Sequence, residues 1–122
     1  MTAAPNSAAK RVLVIDDEAL LALMAADQIV EMGHIVVGPA FTLSEALHLA
    51  DVASIDAALV DLNLNGVSAL PIADVLARRK IPFVFVTGYE RPSLGAHENI
   101  GFLKKPYQSG DLRRVINRLL TQ

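Results

Sequence analysis

Five residues of this 122-residue chain have types and positions that suggest chemistry: Asp16 and Asp17 behind one short apolar run, Asp61 behind another, Thr87 behind a third, and Lys105 near the end. If those runs are neighbouring parallel strands, their carboxyl ends share one sheet edge, which is where open α/β folds bind ligands. Three carboxylates gathered there repel strongly at low dielectric, so the set makes sense mainly around a cation. An all-oxygen site suits Mg²⁺, which takes one or two carboxylates, keeps several waters and completes its shell with phosphate oxygens. A carboxylate can also attack phosphorus and form an aspartyl-phosphate. Asp61 is the candidate nucleophile, because the adjacent Asp16 and Asp17 are better placed to hold the metal from the next strand. Phosphoryl transfer asks the protein mostly for positioning and charge neutralisation, here divided among Mg²⁺, the Lys105 ammonium and the Thr87 hydroxyl.

The elements that must position these residues are legible as short β-branched apolar runs alternating with longer helical patterns, the signature of βαβ units around a parallel sheet. Strands are expected near 11–15, 34–38, 56–60, 82–86 and, more weakly, 101–103. Most are continuous apolar runs such as Val12-Leu13-Val14-Ile15 and Phe83-Val84-Phe85-Val86, as strands covered on both faces should be. The segment 18–32 places Leu21, Met24, Ala25, Gln28, Ile29 and Met32 at helical spacing, with Gly33 as C-cap. Leu20 and Leu23 add apolar surface beside that stripe, either as extra core or as a docking patch for a partner protein. Further helices are expected over 44–51, 68–79 and 109–120, with breaks at Gly38-Pro39, Asn65-Gly66 and Ile81-Pro82. Gly88, Pro92 and Gly95 limit any helix within 88–99 to a turn or two. The fold class is α/β: a doubly wound, five-stranded parallel sheet with helices on both faces.

Composition narrows the function classes. Hydrophobic residues make up 52% and charged residues 20% of the chain, a globular balance at about the length of one domain. Residues 10–122 are read as that domain and 1–9 as a flexible N-terminal tail. The net charge of −2 with scattered signs gives no footprint for nucleic acid or anionic lipid. The absence of cysteine removes disulfide scaffolds, thiol catalysis and Cys-ligated metal sites together. No run of about 18 apolar residues occurs, which argues against a membrane span, and a cytoplasmic location is the expectation. His34, His48 and His97 lack ligand spacing and are read as non-catalytic.

Asp16-Asp17 after an apolar strand, Asp61 after another, Thr87 closing a third and Lys105-Pro106 near the end follow in an order and spacing that resemble the receiver domain of two-component response regulators, over roughly residues 10–121. The resemblance implies a flavodoxin-like strand order of 2-1-3-4-5. It makes Asp61 the phosphoacceptor, Asp16 and Asp17 the acidic pair, Asn63 the residue whose backbone carbonyl ligates Mg²⁺, and Lys105 rather than Lys104 the site lysine, since Lys105 directly precedes Pro106. It also implies a histidine kinase or histidine phosphotransfer protein as donor, a downstream protein target, and no direct contact with nucleic acid or membrane. Phe85-Val86-Thr87-Gly88-Tyr89 is similar to the signature of the receiver subgroup nicknamed FAT GUY. Asn65 stands where many receivers have proline and Gly88 where alanine is commoner; Phe102 and Tyr89 are the candidate switch aromatics. The loop carrying Thr87 and the segment 88–99 would then be the part that rearranges on phosphorylation.

Three other readings compete. A phosphohydrolase of the haloacid-dehalogenase type also uses an aspartate nucleophile but wants a second aspartate two residues on, where Asn63 stands and cannot move a proton. A dinucleotide or flavin module wants a glycine-rich phosphate loop after the first strand, where this chain has Asp16-Asp17-Glu18. A degenerate receiver would serve as an unphosphorylated scaffold, yet every expected site residue is present. Helix capping alone accounts for Asp16-Asp17-Glu18 but not for Asp61 and Lys105.

Overall fold

A computed structural model describes residues 9–88, 97 and 99–121. Five parallel strands, β1 (Arg11–Ile15), β2 (Ile35–Ala40), β3 (Ala57–Asp61), β6 (Phe83–Thr87) and β7 (Phe102–Lys104), form one sheet in the order β2-β1-β3-β6-β7. A two-stranded antiparallel hairpin, β4 (Asn63–Leu64) with β5 (Val67–Ser68), intervenes after β3. With the hairpin set aside, the order is the flavodoxin-like 2-1-3-4-5.

Strand side chains alternate between two cores because successive residues point to opposite faces. Leu13, Ile15, Val60 and Phe85 pack against Ala46 and Ala50 of α2 (Leu43–Val52) and Ile72 and Leu76 of α3 (Leu70–Arg78). Val12, Val14, Leu59 and Val84 face Ala22, Ala25 and Ile29 of α1 (Ala19–Glu31) and Leu112 and Ile116 of α4 (Ser109–Leu120). Each fully buried leucine, isoleucine or phenylalanine contributes roughly 1.5–3 kcal/mol, so burial on both faces fixes the register that brings the strand ends level.

Local chemistry bounds the first two helices. After α1 the Gly33 N–H donates to the Val30 carbonyl at 2.9 Å and the His34 N–H to the Ile29 carbonyl at 3.1 Å, with Gly33 at φ +90°, a Schellman closure that glycine permits. Thr42 caps α2 by accepting from the Glu45 N–H at 3.2 Å.

Four expectations are corrected. The buried stripe of α1 is Ala22, Ala25, Ala26 and Ile29, while Met24 is half exposed; small alanines meet the sheet closely and the larger Leu21, Met24 and Gln28 turn toward a side groove. Leu20 and Leu23 are exposed at 71% and 51%, which removes their reading as extra core. Gly38-Pro39 does not end the second strand, which continues to Ala40 with an irregular register against β1; as an edge strand it tolerates a proline. Finally, Ser68 belongs to β5 and α3 begins at Leu70, with the Ser68 hydroxyl accepting from the Leu70 N–H at 3.2 Å. Of the segment 88–99 the structure describes Gly88, His97 and Asn99; Tyr89 lies outside the described residues.

Candidate functional site

Four of the predicted site residues sit where a strand stops. Asp16 follows β1, Asp61 is the last residue of β3, Thr87 the last of β6, and Lys105 follows β7. Register aligns them: Asp61 lies beside Val86 and Thr87 beside Lys104, and the Lys105 N–H donates to the Thr87 carbonyl at 2.7 Å. Asp16, Asp61 and Thr87 are buried. A cleft of about 400 Å³ opens over them, lined by Asp17, Glu18, Asp61, Asn63, Thr87 and Lys105 among others.

Charge compensation in the cleft centres on Lys105. Its Nζ lies 3.1 Å from Asp16 Oδ2, 2.9 Å from Glu18 Oε1 and 3.1 Å from Asp61 Oδ2. Backbone amides serve the remaining oxygens: Asn63 N–H donates to Asp61 Oδ1 at 3.2 Å, Glu18 N–H to Asp16 Oδ1 at 2.9 Å, and Asn65 N–H to Asp17 Oδ2 at 2.9 Å. The last of these comes from the tip of the β4–β5 hairpin, where Asn65 and Gly66 take φ +55° and +84°. Two positive values define the type I′ turn that Asn-Gly favours. Proline, fixed at negative φ, is closed to position 65. The Asn63 side chain closes the turn by accepting from the Gly66 N–H at 2.6 Å.

Lys105 does not compensate all of the negative charge. Burial pushes the Asp61 carboxyl up to about 7; the Asn63 N–H opposes the shift, hydrogen bonding and repulsion from Asp16 add to it, and the Lys105 charge lowers it. Burial works against the Lys105 ammonium too, yet its hydrogen bonds to Glu18 and Asp16 and the Asp61 charge hold its pKa above the usual lysine range. Burial, with the Asp16 charge, raises the neighbouring Tyr107 phenol. Carboxylate oxygens of Asp16, Asp17, Glu18 and Asp61 lie within 4.8 Å of one another. This donor set fits a hard divalent cation such as Mg²⁺, whose charge would oppose the burial and the Asp16 repulsion that raise the Asp61 carboxyl.

The receiver-domain model matches residues 12–117, described as "Response regulator receiver domain". The chain belongs to that family. The receiver is 33% identical over 117 residues to the phyllosphere-induced regulator PhyR of Methylorubrum extorquens, covering 92% of this chain and 44% of that protein. It is 28% identical over 116 residues to the transcriptional regulatory protein PdtaR of Mycobacterium tuberculosis, covering 91% and 57%. It thus spans about half the length of the curated relatives it matches. Among solved structures, PhyR from Brucella abortus superposes with a TM-score of 0.78 at 29% identity, over 93% of this chain and 48% of that one. A CheY-like receiver from Methanospirillum hungatei gives 0.82 at 24% identity over 93% and 94%, which shows the fold. The receiver is a signalling domain of the two-component class.

The roles of Glu18 and of the hairpin at the cleft escaped sequence reasoning. Glu18 was legible as a capping residue, not as a partner of Lys105, and nothing local signals that contact across 87 positions. The hairpin was legible in Asn65-Gly66, a strong two-residue turn signal that reads equally as a plain break. His97 is buried, pairs with Asp74 at 2.7 Å and packs edge-on to Phe83 and Phe85. Phe102 is half-buried against Phe85, with ring centroids 5.8 Å apart. Among the described residues no helix is long and apolar enough to cross a membrane.

Proposed function

We propose that this receiver accepts a phosphoryl group on Asp61 from a histidine kinase or histidine phosphotransfer protein in a Mg²⁺-dependent reaction, then switches conformation to control a downstream protein. The observation that carries the reading is Asp61 buried at a strand end with Lys105 Nζ 3.1 Å away and three further carboxylates around the same cleft. In the reaction an Asp61 oxygen forms the new bond to phosphorus, the donor's bond breaks, and the leaving group departs with that electron pair. Bound Mg²⁺ supplies positive charge to the phosphoryl oxygens. Asp16 and Asp17, with Asp61 and the Asn63 backbone carbonyl, would hold it. Lys105 orients and neutralises a second phosphoryl oxygen, and the Thr87 hydroxyl donates to a third. The domain catalyses its own phosphorylation and dephosphorylation and has no separate substrate.

The phosphoryl group adds about −1.5 to −2 charges, which draws Thr87 and its loop toward the cleft and biases the chain that follows, with Phe102 and Tyr89 as switch candidates. Exposed Leu20, Leu23 and Met24 on α1, beside the cleft through Glu18, offer the donor protein an apolar docking patch. The setting is cytoplasmic, and neither nucleic acid nor membrane is a direct partner.

Intact-mass spectrometry after incubation with acetyl phosphate and Mg²⁺ tests the reading, beside Asp61→Ala and a chelator control. A single phosphoryl adduct lost in both controls is expected. No adduct, together with no binding of beryllofluoride, would overturn it in favour of a scaffold role.

A further inference from the structure

Glu18 occupies the N-cap position of α1, where a side-chain oxygen usually accepts from the free N–H groups of the first turn. It makes no such bond. Its carboxylate turns instead to Lys105 Nζ at 2.9 Å, the shortest of the three carboxylate contacts that ammonium makes. An ammonium has three N–H donors, and here three carboxylates compete for them. A phosphoryl oxygen arriving at Asp61 therefore gains Lys105 only when one carboxylate lets go. The Asp16 and Asp61 side chains are each only 7% exposed, whereas Glu18 is 59% exposed and rehydrates most readily on release. It also borders both the cleft and a neighbouring groove of about 340 Å³ beside Leu21, Met24 and Tyr107, so its carboxylate has room to swing away.

We infer that Glu18 is a positioning residue that restrains phosphoryl transfer: it holds Lys105 in the resting arrangement and must release it before the ammonium can neutralise the phosphoryl group. This rests on Asp61 being the phosphoacceptor. In the step concerned, an Asp61 oxygen bonds to the phosphorus of acetyl phosphate while the bond from phosphorus to the acetyl oxygen breaks, and acetate leaves with that electron pair. The equatorial oxygens carry charge through the transition state, and the release of Lys105 adds to the barrier. The restraint acts through Lys105, which separates it from simple repulsion of an anionic donor by a rim carboxylate.

The test measures single-turnover adduct formation by quenched intact-mass spectrometry with acetyl phosphate at saturating Mg²⁺. It compares wild type, Glu18→Gln, Glu18→Ser, Lys105→Gln and the Glu18→Gln/Lys105→Gln double variant. Serine is a good N-cap, so Glu18→Ser keeps α1 intact whatever the role of the carboxylate. Both Glu18 variants should react about two- to fivefold faster than wild type, the scale of one exposed ion pair, and the gain should vanish in the Lys105→Gln background. Unchanged or slower rates overturn the inference while leaving Asp61 as phosphoacceptor, because the wild-type adduct still forms. A gain that persists without Lys105 assigns the effect to rim charge and also overturns it. A slower rate with a higher Mg²⁺ midpoint identifies Glu18 as a metal ligand instead. If wild type gives no adduct, the phosphoacceptor reading fails and the inference falls with it.

Discussion

Replacing Asp61 with asparagine should stabilise the metal-free protein increasingly as pH rises. The folded-state carboxyl is raised from 3.8 to about 7, chiefly by burial and then by Asp16 against the opposing Asn63 N–H and Lys105. Between those values the folded state keeps a proton that the unfolded state has lost, so wild-type stability falls as pH rises through this window and levels off above it. At about 1.36 kcal/mol per unit, the full rise from 3.8 to about 7 is a penalty of at most roughly 4 kcal/mol. Between about pH 5 and about pH 8 the expected difference is about 2–3 kcal/mol. An asparagine side chain cannot ionise, so Asp61→Asn lacks this component, while titrating groups away from the cleft are common to both proteins and cancel. Urea unfolding in chelator, with the midpoint followed across that range, reads the difference directly. Saturating Mg²⁺ should narrow the difference, since a ligand at a hundred times its Kd adds about 2.7 kcal/mol to wild type and less to the variant. Parallel pH profiles for the two proteins in chelator would refute the reasoning, because they would mean that the folded state does not penalise the Asp61 anion.

Two further outcomes follow from packing and turn geometry. Gly66→Ala places a methyl in open space but at φ +84°, so the expected cost is backbone strain of about 1 kcal/mol, read from the urea midpoint; a loss above roughly 3 kcal/mol would show that the hairpin carries more of the fold than its two strand pairs suggest. His97→Ala should cost about 2 kcal/mol through the space left beside Phe83 and Phe85, and Asp74→Ala under about 1 kcal/mol because the Asp74 side chain is 67% exposed; thermal or urea unfolding that gave the reverse order would mean that the ion pair, not the ring packing, holds His97.

The sequence by itself determined the parallel α/β architecture, because short β-branched and aromatic runs such as Phe83-Val84-Phe85-Val86 alternate with longer helical patterns, and their flanking breaks place each one to within a residue or two. It also determined which residues meet: Asp16, Asp61, Thr87 and Lys105 each end or follow a strand, and parallel topology puts all such positions at one edge. What periodicity could not decide was rotation and reach. Helical spacing placed Ala25 and Ile29 in the α1 stripe but also the large Leu21 and Met24, whereas the close approach of helix and sheet selected Ala22 and Ala26 beside them. Asn65-Gly66 announced a turn, but only the docking of its tip onto Asp17 shows that the turn belongs to the site. Lys105 is legible as a cation near the end of the chain; that its ammonium is shared by Asp16, Asp61 and Glu18 depends on the three-dimensional convergence of two strand ends and a helix start, a relation among distant residues that no local pattern encodes.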